Sequence, residues 1–536
     1  REPEYQEMRD TLLPVQAYAA LRAGEAEKAA AILGERLRRE VKSQRVRRFM
    51  LFCHAEALRQ SRQGDQAIAA YQRFLAADNL SVQSATGRLR LARLLFDQSR
   101  GEEGLELLKQ FITDNRFAPS LRTQARLLAV QLCQSHQLPE EAVELLLQDA
   151  WSVDAMPELA VLAFSALQAG DYLLAQERFE EALQSYRLVP AKDILVQVQS
   201  VKVAGIRRRL EQRKAQRSRV TMGSPISLQE QMSWDNHYAG VIRRAEAQLA
   251  TLEKADDYTF GLYLRIGQAF LRSGRMPSAS VVFADLASDE GFLPSEQGEA
   301  LYNLILVELA RERFDLVYEK VQEYADRFPG GVRGAEVLFL SAQAMQEEKR
   351  YEDAATLLSR LLADFPGHAH TGRWMFSRGL NLALAQDYEG ARETLESFRT
   401  SYPNHLLNYP AWYWIALTRF FEKDYPAALA VLDQLIEAMP PGHSLLAEAL
   451  YRKCNVLYAS GDYENAGSAL EAFIEKHQGH KLEPEARALL GDVWMGKGDL
   501  SKALDVFAGI EPSAGPQWYG YANFQAGKIF KALEEL

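Results

Sequence analysis

Cysteine is scarce in this chain: Cys53, Cys133 and Cys454 are the only three in 536 residues. They are odd in number and far apart, and no pair has metal-ligand spacing. Each lies in an apolar helical stretch and reads as a small buried residue. Long apolar runs are absent as well. No stretch of about 18 uncharged apolar residues occurs, so no membrane-spanning helix is expected. The sequence holds no Gly-x-Gly-x-x-Gly or Walker-type phosphate loop and no Gly-x-Ser-x-Gly elbow. Its carboxylates are spread along helix faces, so an enzyme is not expected, and neither is a cofactor. Net positive charge is missing too: the formal charge is −10 and the pI about 5.6. Nucleic acid is therefore the least favoured partner, because such binding draws on basic surfaces that displace counterions. The first residue is Arg1, with no apolar signal region after it, which leaves open a removed leader or anchor, or an expressed fragment.

What is present is a repeat. Tyr351, Ala354, Leu358, Leu361, Phe365 and Pro366 recur 37 residues later as Tyr388, Ala391, Leu395, Phe398, Tyr402 and Pro403. A fixed period of this size marks a repeat array. A small-residue column runs Ala279, Val317, Ala354, Ala391, Ala428, Ala466, Ala503, at intervals of 37 or 38. Four residues after each stand Phe283, Val321, Leu358, Leu395, Leu432, Leu470 and Phe507. Just before them, mostly three residues upstream, come Met276, Phe314, Tyr351, Tyr388, Tyr425, Tyr463 and Leu500. Residues 1–190 show the same apolar spacing of i, i+3, i+4 and i+7, less regularly, around Gly24, Gly64, Gly104, Leu138 and Gly170. After Ala503 the chain offers a further first helix, around Gly527 and Phe530, and no second one. The expectation is that a longer natural protein continues the array.

Residues 191–257 break the period. Two long helical runs flank Gly223, Ser224 and Pro225, predicting a hairpin longer than the repeats beside it. Residues 192–219 carry nine Lys or Arg against two acids, a local +7, so the remainder carries −17. Arg207, Arg208, Arg209, Arg213, Lys214, Arg217 and Arg219 are the candidate contact residues. Charges of one sign repel unless something acidic lies close.

The columns resemble the tetratricopeptide repeat. Tyr263, Ile266, Gly267, Phe270, Gly274, Ala279, Phe283 and Leu286 follow its helix–turn–helix pattern closely. The units of 37–38 residues and the turns RFPGG, DFPGH and SYPNH look like those of bacterial envelope proteins of the BamD and YbgF/CpoB type. The resemblance implies an all-α, tetratricopeptide-like helix–turn–helix solenoid, a superhelix, interrupted by the long hairpin. Three parts are expected: N-terminal repeats over 1–190, the basic hairpin over 191–257, and an array of about seven repeats plus a half-repeat over 258–536. It also implies a protein-binding scaffold, with a periplasmic or cell-envelope location and a cytoplasmic one as the alternative.

In such an array the first helix of each unit lines a groove, and helical period selects its facing positions. These are Arg373, Phe376 and Leu380; Tyr413, Leu417 and Phe420; and Tyr451, Asn455 and Tyr458. Such a strip suits an apolar or aromatic-anchored peptide, although the same rings can pack into neighbouring helices. Trp412 stands at a core position.

His368, His405, His443 and His480 form another column, at intervals of 37, 38 and 37. Stacked repeats lie roughly 10 Å apart, whereas zinc needs ligands at about 2 Å. The column therefore cannot make one metal site, no metal is expected, and a turn or capping role is. The leading functional expectation is an adaptor that binds a partner segment in the groove, with the hairpin as a second contact. The alternative is an assembly protein whose hairpin drives self-association or peripheral docking on an anionic membrane. An enzyme accessory domain is the weakest reading.

Overall fold

The computed structural model describes residues 12–21, 23–148, 151, 159–220 and 228–534, with side chains left aside at 216–238 and 534. Among the described residues the structure is helical, with no strand. It divides into two compact units, Arg1–Leu286 and Ala287–Leu536. Both are built as a tetratricopeptide-like solenoid of antiparallel helix pairs.

The first unit begins with α1 (12–21) and α2 (Ala26–Leu37), then α3 (Gln44–Gln60) and α4 (Gly64–Ala77). It continues through α5 (Val82–Asp97), α6 (Gly101–Thr113), α7 (Pro119–Ser135), α8 (Pro139–Leu147), α9 (Leu159–Ala175) and α10 (Phe179–Tyr186). The expected hairpin follows as α11 (Lys192–Val220) and α12 (Leu228–Lys254), before α13 (Thr259–Arg272) and α14 (Met276–Ser288). The second unit holds α15 (Pro294–Ala310), α16 (Phe314–Arg327), α17 (Gly334–Glu347), α18 (Tyr351–Asp364), α19 (Thr371–Leu384) and α20 (Tyr388–Ser401). It ends with α21 (Asn408–Phe421), α22 (Tyr425–Ala438), α23 (Leu446–Ala459), α24 (Tyr463–Lys476), α25 (Glu483–Gly496), α26 (Leu500–Ala508) and α27 (Pro516–Glu534).

The small-residue column is the seam of each pair. Ala279, Val317, Ala354, Ala391, Ala428, Ala466 and Ala503 are all 0% exposed. Of the larger residues four positions on, all are buried except Val321, which is half-buried. Where the large residue is a ring, the first helix gives way: a Cβ at Gly267 would run into the Phe283 ring. A small residue on one helix thus admits a large one from the other, as close packing requires.

The turn within each pair is equally regular. One left-handed residue follows every first helix: Gly24, Arg62, Ser99, Gln137 and Glu177, then Gly274, Glu312, Lys349, Gln386, Lys423, Gly461 and Gly498. The next residue's N–H closes back onto the helix; Arg350 N reaches Met345 O at 2.8 Å and Asp462 N reaches Leu457 O at 3.0 Å. This is the Schellman stop, which satisfies carbonyls that the ending helix leaves open. In four units that next residue is an aspartate that caps the second helix. Asp387, Asp424, Asp462 and Asp499 accept the N–H of Gly390, Ala427, Asn465 and Lys502 at 3.1, 3.3, 3.2 and 3.1 Å.

The hairpin interrupts the chain and leaves the stack of pairs intact. α10 packs directly against α13. Tyr258 Oη donates to Pro190 O at 2.7 Å and Lys192 N to Thr259 Oγ1 at 3.1 Å, which pins the hairpin's two feet together.

The left-handed turns carry a testable cost. Lys423 holds φ 64° and Gly461 φ 83° at equivalent positions. Gly461→Ala is expected to lose about 1 kcal/mol, since a side chain in that region costs about 1–2 kcal/mol. Lys423→Gly is expected to gain about 0.5 kcal/mol, that strain less the backbone entropy glycine gives up. Urea melts of the two variants should move in opposite directions.

Candidate functional site

The first helices of the second unit carry the site. A cleft of about 230 Å³ opens between α17 and α19, lined by Phe339, Gln343, Gln346, Arg373, Phe376, Ser377, Leu380 and Asn381. Three of the nine predicted groove residues, Arg373, Phe376 and Leu380, therefore share one cavity. Arg373 is exposed, with its guanidinium 5.0 Å from the Phe339 ring centre. It has no carboxylate partner among the described residues. Leu380 is half-buried, while Phe376 is only 9% exposed and forms the floor.

The other six do not extend the cleft. Leu417 and Tyr451 are each 5% exposed. Tyr451 packs on Phe473 at 5.9 Å between ring centres, and burial pushes its phenol up. The expectation of a groove-facing role is corrected for Leu417 and Tyr451: neighbouring helices cover them, and they contribute to the core. Tyr413, Phe420, Asn455 and Tyr458 are half-buried. Tyr413 Oη accepts from Arg452 Nε at 3.3 Å, while Phe420 and Tyr458 lie against Tyr425 and Tyr463. Trp412 is also half-buried, capped by Arg399 at 3.7 Å.

Asn381 is the cleft residue that the apolar pattern passes over. It is 1% exposed. Its Nδ2 donates to Ser377 O at 2.8 Å and Gln346 Oε1 at 3.0 Å, and its Oδ1 has no partner. The Ser377 carbonyl can only accept, which fixes the orientation of the amide. The signal that finds it is another column on the first helices, Asn381, Thr418, Asn455 and Asp492, at intervals of 37. Thr418 satisfies itself on Ile415 O at 2.7 Å and Asn455 donates to Tyr451 O at 3.3 Å. Asp492 accepts from Tyr521 Oη at 2.8 Å and Gln525 Nε2 at 3.3 Å. Burial raises the Asp492 carboxyl, and these two donors partly oppose that rise.

The histidine column works in the turns between units. The ring Nδ1 of His368, His405, His443 and His480 accepts the backbone N–H two residues on, from His370, Leu407, Leu445 and Leu482, at 3.2, 3.1, 3.2 and 3.2 Å. Each ring also meets an aromatic neighbour; His368 stacks on Trp374 at 4.6 Å and His443 meets Tyr409 edge-on at 5.0 Å. Among the described residues no group of His, Cys, Asp and Glu is placed to hold a metal. Cys53, Cys133 and Cys454 are buried free thiols, pushed up by that burial to about 12, 11 and 12.

On the hairpin, Arg207 pairs with Glu246 across the two helices and Lys214 with Glu211 at 3.2 Å. Arg213 is exposed at the surface. Arg208 and Arg209 are exposed and have no carboxylate partner among the described residues. The side chains of Arg217 and Arg219 lie outside the described residues.

The geometry defines a helical-repeat scaffold with a small polar-rimmed cleft. The Tetratricopeptide repeat family profile matches residues 54–150, 339–405 and 446–517, together less than half of the chain, so the chain carries tetratricopeptide repeats in both units. Such repeats generally mediate protein–protein contacts and form non-catalytic scaffolds. No curated protein matches this chain. Among solved structures, a tetratricopeptide repeat protein from Parabacteroides merdae is similar at 17% identity, over 51% of this chain and 98% of its own, with a TM-score of 0.37. PilF of Pseudomonas aeruginosa is similar at 18% identity, over 42% and 95%, with a TM-score of 0.32. The Cut9–Hcn1 hetero-tetramer of the APC/C gives 12% identity, 97% and 97%, and a TM-score of 0.32. These likenesses concern the fold alone.

Two outcomes test the local chemistry. His405→Ala is expected to cost about 0.5–1.5 kcal/mol through loss of the turn hydrogen bond, whereas His405→Asn should keep most of it, because an Asn carbonyl reaches the same N–H. Paired denaturant melts decide this. Asp492 gives a pH signature. Its folded value lies above the ordinary 3.8. The stability it contributes is therefore full below that ordinary value and is lost as pH rises through the folded one. Tyr521→Phe should push the carboxyl further up in an NMR titration, and Asp492→Asn should flatten stability against pH across that window.

Proposed function

We propose that the second unit is a non-catalytic scaffold that holds a segment of a partner protein across the α17–α19 cleft. The observation that carries this is the cleft's lining: an exposed Arg373 with no carboxylate partner among the described residues stands over an apolar floor, 5.0 Å from the Phe339 ring centre. Phe376 and Leu380 offer the segment an apolar floor, Gln343 and Ser377 further polar contacts, and Arg373 a cation at the rim. Placement in a bacterial envelope complex is part of this proposal; its support is the style of the turns Phe365-Pro366-Gly367-His368 and Tyr402-Pro403-Asn404-His405.

The test is capture of the natural partner by the tagged full chain, followed by variants. Leu380→Ser strips apolar contact from the half-buried floor, so the variant should keep its helix content yet hold the partner at least about tenfold more weakly. Arg373→Glu should weaken capture and leave the melt unchanged. Undiminished capture by both variants would sink the cleft assignment.

A further inference from the structure

A second surface lies on the first unit, where the foot of the hairpin meets α9. A cleft of about 380 Å³ opens there, lined by Leu159, Val161, Phe164, Leu195, Val198 and Leu252. Its polar neighbours are already satisfied at home. Gln199 Nε2 donates to Ala245 O at 3.0 Å and to Gln248 Oε1 at 3.3 Å, and Thr251 Oγ1 donates to Ala247 O at 2.8 Å. The recess therefore offers a ligand apolar contact and little else. Phe164 stands 53% exposed at its edge.

The recess is continuous with a stripe on α11. Ile194, Val198 and Val201 are 44%, 40% and 67% exposed. Their spacing of four and three puts them on one helix face. Val203, on the far side of the helix, is 5% exposed, and Leu195, about 100° round from Ile194, is 2% exposed in the lining of the recess. Further along the outer face comes Gly205, where a Cβ would meet nothing within 4 Å. Arg208 follows seven residues after Val201, with Arg209 next to it. Both are exposed and lack a carboxylate among the described residues, while Arg207 and Lys214 beside them are paired with Glu246 and Glu211. At a rise of 1.5 Å per residue, Ile194 to Arg209 spans about 22 Å. Apolar ground thus occupies the lower half of one helix face and unpaired positive charge the upper half.

We propose that this face docks a partner protein's amphipathic helix of about four turns, with apolar side chains at i, i+4 and i+7 over the recess and acidic side chains beyond them against Arg208 and Arg209. Charge complementarity selects the acidic end. The recess selects a helix over a bilayer: a concave pocket is filled by a side chain such as Leu or Phe, whereas a flat lipid surface would leave it empty. A second copy of this chain and an anionic membrane, both raised by the charge of the hairpin, become outcomes of the test. The inference does not rest on the α17–α19 cleft, and substitutions there leave it untouched.

The experiment pans a displayed library of random 18-residue helical peptides against the full chain, with depletion on the Val198→Glu variant. Val198 is exposed, so this variant should keep the parental melt and helix content; Phe164→Ser serves as a second lesion on α9. The expected result is enrichment of peptides with apolar residues at i, i+4 and i+7 followed by Asp or Glu. Their affinity should fall at least about tenfold for Val198→Glu and for Arg208→Glu with Arg209→Glu, the latter also flattening the salt dependence. No enrichment, or enrichment without acidic residues, overturns the proposal. Two control measurements also overturn it: binding to phosphatidylglycerol vesicles that the same variants abolish, which assigns the face to a membrane, or a dimer in sedimentation that Val198→Glu dissolves, which assigns it to a second copy.

Discussion

Close approach of two backbones at one small residue per unit is the constraint on which this structure depends. A two-helix unit has too little interior to bury its own apolar faces, so each must share them with the next. That works only if the second helix comes near the first, and the fully buried column from Ala279 to Ala503 is where it does. Everything else follows the spacing so fixed. Large residues four positions on fill the space beyond the seam, glycine yields where the filler is a ring, and half-buried Phe314, Tyr351, Tyr388, Tyr425 and Tyr463 at the start of their second helices cover the joint.

The turns hold that spacing in register. Each pair reverses through a single left-handed residue and a Schellman closure, and in four units an aspartate then starts the second helix. Between pairs, a histidine ring takes the place of a further backbone acceptor. These are local devices, each worth about a kilocalorie per mole. Their value lies in repetition: an error of one residue in any turn would rotate the next helix by about 100° and take its seam out of contact.

The two candidate surfaces sit where this regularity is relaxed. Asn381 places a polar side chain at a buried first-helix position and leaves its amide oxygen without a partner. The hairpin departs further. It is inserted between α10 and α13, which pack on one another as though it were absent, and so it is free to carry an outer face that the repeat does not use. Exposed Ile194, Val198 and Val201 would be a liability on a plain solenoid. Next to a pocket and two arginines without a carboxylate partner among the described residues, they form a surface with a definite polarity.

The sequence by itself determined the period, the seam, the hairpin and the role of the histidines, because each depends on residue identity recurring at a fixed interval. It did not show the left-handed turns at Arg62, Ser99, Gln137 and Glu177, since only glycine advertises that conformation and the strain of other side chains is absorbed by the packed helices around them. Nor could it separate Tyr451 and Leu417 from Tyr413 and Phe420. All four fit one helical face, and exposure is decided by how far the next first helix leans over it. The tertiary structure alone decided that the amide oxygen of Asn381 went unpaired and which apolar residues of α11 stayed in solvent, for both are matters of what a neighbouring helix does or does not reach.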